Sequence, residues 1–449
     1  METEPRVARL RALAREPVSA ASLAALRVIF GLVCFGSSLR FLSRGWVDAL
    51  YVRPTHLIAY WGFEWLPRPS SQGLYALFGA MLASSLAVVF GAWARAALCV
   101  YALCFTWIEL LDRSNYLNHY YFVTLFAVML ACLPVSARLS LDARRRPRLA
   151  RAEIPRWMLW IPQAQIGLVY FFAGVAKLEV DWLVRAEPLR TWLTARAELP
   201  LVGPWLTTPL AAYAMSWSGA VFDLTIPFLL LARRTRVPAY LAVISFHAIT
   251  GMLFNIGVFP WVMVGVTTVF FDPRWPERWM RSRAPAPSRG EGALPSRLAT
   301  AVIAGYFTVQ ALLPLRVYAY PGDARWTEQG FRFGWRVMVM EKAGDVRFRV
   351  REPATGREWT VLPGEFLSPT QARVIAGTPD MILAAAHILR DEFAARGVRD
   401  AQVYADAWAS LHRRRSRRLV DPSVDLARER DTLAPYRWVY PDPDTAPSL

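Results

Sequence analysis

Trp157-Met-Leu-Trp-Ile-Pro-Gln-Ala-Gln-Ile-Gly-Leu-Val-Tyr-Phe-Phe-Ala-Gly-Val-Ala-Lys177 carries no charge until its last residue. A run of roughly 20 apolar residues is what a helix needs to cross the hydrocarbon core of a bilayer. Working outward from it, comparable runs recur at about 20–42, 73–93, 96–111, 119–135, 211–232, 237–254, 256–271 and 298–316. The third and eighth spans are short and lean on their neighbours. The sequence therefore predicts a polytopic α-helical membrane protein of about nine transmembrane helices over residues 1–316. A soluble extracytoplasmic domain, α+β or β-rich, follows over 317–449. The bulk figures agree. The chain has 449 residues and is 55% hydrophobic, against about 45–50% for a soluble domain. Its 19 Trp suit aromatic anchoring at membrane interfaces.

The net charge of +17 does not mark a nucleic-acid binder, because the arginines lie between the apolar runs. With the N-terminus (Arg6, Arg9, Arg11, Arg15) in the cytoplasm, counting spans puts every strongly basic short loop on the same side. These are 136–156, 233–236 and 274–297, as the positive-inside rule asks. The start of the chain is basic and polar with no small-residue cleavage site, so the first apolar run is expected to stay as a span. The Pro-, Ser- and Gly-rich stretch 282–296 reads as a cytoplasmic linker. The same count places 112–118, 177–210 and everything after 316 outside.

In the tail, Phe331 to Val350 alternates polar and apolar residues with strand periodicity, and Thr355-Gly-Arg-Glu-Trp-Thr-Val-Leu362 supplies a hairpin partner. Thr378 to Arg396 reads as a helix with an apolar stripe through Met381, Ala385, Ile388 and Leu389 and with Gly397 just past its end. Gln402 to Leu411 reads as another strand. The run Arg413-Arg-Arg-Ser-Arg-Arg418 is expected to meet anionic lipid or an acidic peptide.

Of 52 Lys plus Arg, only Lys177 and Lys342 are lysines. Arginine stays protonated, whereas lysine can give up its proton. An ionisable residue at membrane depth is a functional candidate, and desolvation favours the neutral amine that can act as a base. The alternative is that Lys177 snorkels to the interface and pairs with Glu179 or Asp181. Asn118-His119 opens the fourth span on the same side. It is either a polar helix start with Asn118 as N-cap or a proton-handling group beside the lysine. His247 and Asp223 lie inside spans and are expected to form structural pairs in the bundle. Arg27 and Arg40 read as end or packing charges, and Arg316 as an anchor. Cys34, Cys99, Cys104 and Cys132 all fall in spans with neither disulfide nor metal-ligand spacing. No metal is expected. Walker, GxSxG, HExxH and Rossmann motifs are missing from the sequence. What is left is proton transfer in an apolar pocket open to one leaflet, which suits a lipid-soluble cofactor.

Several segments resemble the vitamin K-dependent γ-glutamyl carboxylases, a family with a horizontally transferred transmembrane domain. They are Asp112-Arg-Ser-Asn-Tyr-Leu-Asn-His-Tyr-Tyr121, Val169-Tyr-Phe-Phe-Ala-Gly-Val-Ala-Lys-Leu-Glu-Val-Asp-Trp182 and Phe246-His-Ala-Ile-Thr-Gly-Met-Leu-Phe-Asn-Ile-Gly-Val-Phe-Pro260. Trp326-Thr-Glu-Gln-Gly-Phe-Arg-Phe-Gly-Trp-Arg-Val-Met338 and Leu419-Val-Asp-Pro-Ser-Val-Asp-Leu-Ala427 extend the likeness toward residue 430.

The resemblance implies a bacterial-type homologue in the cell membrane. Its co-substrates would be vitamin K hydroquinone, O₂ and CO₂, and its partners membrane lipid, the quinone and a Glu-containing peptide or protein. The hydroquinone would be deprotonated by Lys177 and react with O₂. The resulting oxygen base would take the γ-proton of a glutamate, CO₂ would add, and the epoxide would leave. His119 matches the family histidine of the glutamate step, with Asn118 orienting groups beside it. Tyr170 matches an aromatic of the quinone region, and Tyr116, Phe171 and His247 join it as candidate quinone contacts. Arg332 and Trp335 are the candidate substrate-binding residues. Ala176 stands where the animal enzymes have a second lysine, and Met340 where they have a histidine. Those enzymes also extend past the end of this chain. An epoxidase that carboxylates poorly, or a non-enzymatic quinone- or lipid-binding member, is the alternative.

Overall fold

The computed structural model describes residues 3–254, 256–280 and 292–442. Nine apolar helices run through them. They are α1 Ala21–Ser43, α2 Ser71–Phe90, α3 Ala94–Leu111, α4 Asn118–Cys132, α5 Trp157–Val175, α6 Pro209–Leu231, α7 Arg236–Leu253, α8 Phe259–Phe270 and α9 Arg297–Ala319. Seven are long and apolar enough to cross a membrane, while α4 and α8 are shorter. The expected short third span is thus corrected. Helix α3 begins at Ala94 and takes Arg95 into its first turn, reaching 18 residues. The short one is α4, which stops at Cys132 because Pro134 follows, and the residue before a proline is pushed out of the helical region. The linker expected at 282–296 falls mostly outside the described residues.

Side chains pointing away from the bundle are apolar: Leu103 is 70% exposed, Leu298 76% and Met252 80%. Apolar surface this extensive needs a hydrocarbon partner, and the chain is an integral membrane protein. Ser70, Thr208 and Ser296 cap the starts of α2, α6 and α9 by accepting from Gly73, Ala211 and Ala299 N–H. Such caps answer the free amides of a helix's first turn.

One end of the bundle gathers the arginine-rich segments. Strand β1 (Pro17–Ser19) pairs antiparallel with β2 (Glu153–Pro155). Arg156 meets Glu16 at 2.6 Å, and Arg138 and Ser19 both reach Glu277, at 2.8 and 2.7 Å.

The opposite end carries the C-terminal cap. Its antiparallel sheet has the order β4-β3-β5-β6, from β3 (Lys342–Arg351), β4 (Glu358–Val361), β5 (Gln402–Leu411) and β6 (Arg417–Arg418). Phe348 stands opposite Val361 on one side and Ala405 on the other. Val346, Phe348 and Val350 point inward while Arg347, Arg349 and Arg351 point out, the alternation of a half-buried strand. Helices α10 (Pro369–Ile375) and α11 (Pro379–Ala395) cover the inner face, with Met381, Ala385 and Leu389 fully buried.

The strand expected from Phe331 begins only at Lys342. Residues 331–341 form turns, and Phe333, Trp335 and Met338 have φ of 62°, 55° and 53°. The polar and apolar alternation is real, but each side chain finds a different partner and no strand lies alongside. Arg332 bonds Asp380, Arg336 bonds Glu179, Phe333 packs on Tyr116 and Tyr121, and Trp335 enters the bundle core.

Ion pairs dock the cap. Arg113 reaches Asp431 at 2.9 Å and Asp380 at 3.5 Å, and Arg332 reaches Asp380 at 2.6 Å. Gln371 donates to Asp112 at 2.8 Å, and His56 bonds Glu392 at 2.7 Å. The last contact belongs to the connection between α1 and α2, which the span count did not place under the cap. Arg414, expected to offer a free charge, is a strut: it bonds Asp181 and Asp442, each at 2.7 Å.

Burial alone would push the Asp380 carboxyl up, but Arg332 and Arg113 together hold it below the ordinary carboxylate range. The stabilisation is therefore present above the unfolded value of about 3.9 and disappears as pH falls through the lower folded value. Asp380→Ala should destabilise cap docking by about 3–5 kcal/mol, the penalty of leaving buried charges uncompensated. Limited proteolysis of the cap at pH 7 and at pH 3 checks both. Wild-type cap should be protected at pH 7 and less so at pH 3, below the unfolded value, and the variant should be cleaved at both.

Candidate functional site

Gly174, in the last turn of α5, decides where the Lys177 side chain goes. A Cβ there would lie 2.7 Å from Leu224 Cγ and 2.8 Å from the Leu224 backbone nitrogen. Helix α6 thus approaches as closely as glycine alone permits. The approach brings Asp223 into reach: Lys177 Nζ donates to Asp223 Oδ2 at 2.8 Å and to the Ala173 carbonyl at 3.1 Å. The Val337 carbonyl lies at 3.5 Å and the Trp182 ring at 5.1 Å. Both charged side chains are almost fully buried, 6% and 5% exposed.

The snorkelling alternative does not occur, because its partners are taken. Glu179 is held by Arg325 and Arg336 at 2.8 and 3.0 Å, and Asp181 by Arg325 and Arg414 at 2.8 and 2.7 Å. Burial would push the Asp181 carboxyl up, yet Arg325 and Arg414 draw it below its ordinary range. Burial also pushes the neighbouring His412 down to about 4, so it is neutral at pH 7. The charge on Asp181 is answered by arginines, which fix the chain just beyond Lys177.

Lys177 opens onto a cavity of about 870 Å³ between the bundle and the cap, within the range of small-molecule sites. Lys177, His119, Asn118, Tyr116, Tyr170, His247 and Arg332 all line it. Tyr170 Oη and His247 Nε2 are 2.8 Å apart, and His247 Nδ1 is buried without a partner among the described residues. So each mid-span polar group pairs with another wall residue: Asp223 with Lys177, and His247 with Tyr170. His119 stacks on Phe259, centroids 5.3 Å apart, and its ring nitrogens make no hydrogen bond to the described residues. Asn118 is not the N-cap of α4; Leu117 holds that place, with no side-chain cap. The Asn118 amide instead accepts from Tyr116 Oη at 2.9 Å and donates to the Arg336 carbonyl at 3.1 Å. Tyr116 Oη also accepts from Phe333 N–H at 2.6 Å, so its hydroxyl ties the 331–338 turns to the start of α4.

Two sequence candidates fall elsewhere. Phe171 packs on Phe172 and Phe228 on the other side of α5. Trp335 is 1% exposed and stacks on Tyr121 in the core. Arg332 lines the wall but its charge is spent on Asp380. No group of three or more metal-ligating side chains occurs among the described residues.

The arrangement suits a flat, mostly apolar ligand with polar oxygens at its ends. Aromatic and aliphatic walls from Phe246, Phe254, Val258 and Phe259 lie between a buried amine–carboxylate pair and an imidazole with an unfilled nitrogen. A quinol of the vitamin K type fits these residues. The sequence placed Asp223 in a structural pair, and the structure makes Lys177 its partner. An acid in mid-span was the available signal, but its partner depends on how closely two helices pack.

The family model of the HTTM domain matches residues 15–275, more than half of the chain. The model of the vitamin K-dependent gamma-carboxylase lumenal domain matches residues 295–445. No solved structure matches the chain. With both halves matched in order around this cavity, the chain belongs to the vitamin K-dependent γ-glutamyl carboxylase family.

Proposed function

We propose that this chain is a membrane-embedded vitamin K-dependent γ-glutamyl carboxylase that couples epoxide formation from the hydroquinone to carboxylation of glutamate side chains. The observation that carries the reading is the Lys177–Asp223 pair, buried at the wall of a cavity that can take a quinol. When bound, the reduced vitamin with O₂ supplies the oxygen chemistry, and CO₂ supplies the new carboxyl.

The chain's own residues have narrower tasks. Lys177 takes a proton from a hydroxyl at its Nζ, and the Asp223 carboxylate orients the amine and steadies the ammonium that forms, as the third member of a triad steadies its base. Tyr170 and His247 hold the opposite polar edge. His119, whose ring nitrogens have no hydrogen-bond partner among the described residues, faces the glutamate. The aromatic walls exclude water, which strengthens every charge interaction inside. The basic end of the bundle supports a cytoplasmic N-terminus, with the cap, 317–449, on the outer side to receive a Glu-containing peptide or protein.

The test is a parallel assay. Purified protein with reduced vitamin K and O₂ should form epoxide and should incorporate ¹⁴CO₂ into a short Glu peptide. Epoxide without incorporation would replace the carboxylase reading with an epoxidase. Quinone binding without either product would replace it with a binding protein.

A further inference from the structure

Three arginines line the cavity: Arg40, Arg113 and Arg332. Two of them are already neutralised. Arg113 is paired with Asp431 and Asp380, and Arg332 with Asp380. Lys177 is likewise answered by Asp223. Arg40, in the last turn of α1, is different. No carboxylate of the described residues lies within 4.0 Å of it. Its contact is with the ring of Trp46, 4.8 Å from the guanidinium carbon to the centroid. A Cβ on Gly257, itself in the cavity wall with φ of 65°, would lie 3.5 Å from Arg40 Nη1. The half-buried guanidinium is therefore backed by an indole face and a glycine turn, while its hydrogen-bonding edge has no acceptor among the described residues. Phe41, its chain neighbour, packs toward Tyr120, beside His119. Arg40 and the candidate glutamate-facing histidine, His119, both line this cavity.

We propose that Arg40 binds the side-chain carboxylate of the incoming glutamate, and so sets the preference of the cavity for an acidic over an amide side chain. The proposal rests on the carboxylase reading and moves the substrate contact from Arg332, whose charge is used inside the fold, to the one cavity arginine without an ion pair among the described residues. A planar guanidinium matches a carboxylate with two parallel hydrogen bonds, and stacking on an indole leaves that edge exposed. A lipid phosphate at the outer interface is the competing anion. The cavity-wall position, rather than the lipid face, favours the carboxylate.

The experiment uses the full chain in nanodiscs, with an acetylated Glu peptide and its Gln counterpart as probes. Binding is measured without O₂, so that no turnover is needed. Wild type should bind the Glu peptide roughly 10- to 100-fold more tightly than the Gln peptide, the worth of one charge-assisted bidentate pair. Arg40→Gln should erase that preference and Arg40→Lys should keep part of it, while both retain wild-type affinity for oxidised vitamin K. A preference that survives Arg40→Gln overturns the proposal. So does a preference present in phosphate-free detergent but abolished by phosphatidylglycerol, with Arg40→Gln unaffected by the lipid, which assigns Arg40 to lipid phosphate. If wild type carboxylates nothing, the carboxylase reading fails, and the O₂-free comparison still decides whether Arg40 is a carboxylate site.

Discussion

Epoxide formation is expected to fall by at least about 10²-fold in Lys177→Ala, the usual contribution of a positioned general base, with quinone binding kept. Lys177→Arg is the sharper variant. It leaves a cation for Asp223, so the buried carboxylate is not stranded, but a guanidinium does not give up its proton in a protein. If Lys177 serves as a base, the arginine variant should be as inactive as the alanine one while folding better. If Lys177 only balances the charge of Asp223, Arg should rescue activity. Epoxide assayed by chromatography in both variants, beside oxidised-quinone binding, separates the two. Activity retained in either variant would remove Lys177 from the chemistry.

Much of the architecture could be read from residue patterns because bilayer thickness imposes a length and a polarity that no packing detail changes. The nine apolar helices, the β5 strand at Gln402–Leu411 and helix α11 with Gly397 after it followed from such local rules. The 331–341 segment did not. Its alternating residues satisfy the strand pattern, but a strand also needs a neighbour, and that is a tertiary fact. Here Asp380, Glu179 and the bundle core took the side chains one by one. The site was legible in the same uneven way. Lys177 and His119 stood out as polar residues at the ends of apolar runs. Asp223 was seen but assigned to scaffolding, because its partner is selected by the Gly174–Leu224 approach. Phe171 and Trp335 were credited to the site because they lie beside a motif, but the helical period turns Phe171 toward Phe228 and the left-handed turn at Trp335 drives it into the core.

Asp223 should prove to be needed twice, and the two needs can be pulled apart. Removing one partner of a buried ion pair costs about 3–5 kcal/mol, because the other charge is left uncompensated. Asp223→Leu should therefore destabilise the folded protein by that amount, and Lys177→Met should come close to it. The double variant Lys177→Met/Asp223→Leu replaces both charges by apolar groups in an apolar wall. Such replacements are often neutral or stabilising, so it should recover most of the loss, a coupling a double-mutant cycle reads directly. Activity should not follow stability: all three variants should lack epoxide formation. Asp223→Asn adds the last distinction. It keeps a hydrogen-bond acceptor at 2.8 Å from Nζ but no charge to steady the ammonium. It should lower the rate far more than the affinity for quinone, since a group that acts on the protonated amine acts after binding. Thermal unfolding in detergent, run beside the epoxide assay, gives all four comparisons. A double variant as unstable as the singles would mean that the pair is not coupled. An Asp223→Asn protein with wild-type turnover would leave Asp223 a structural counter-ion.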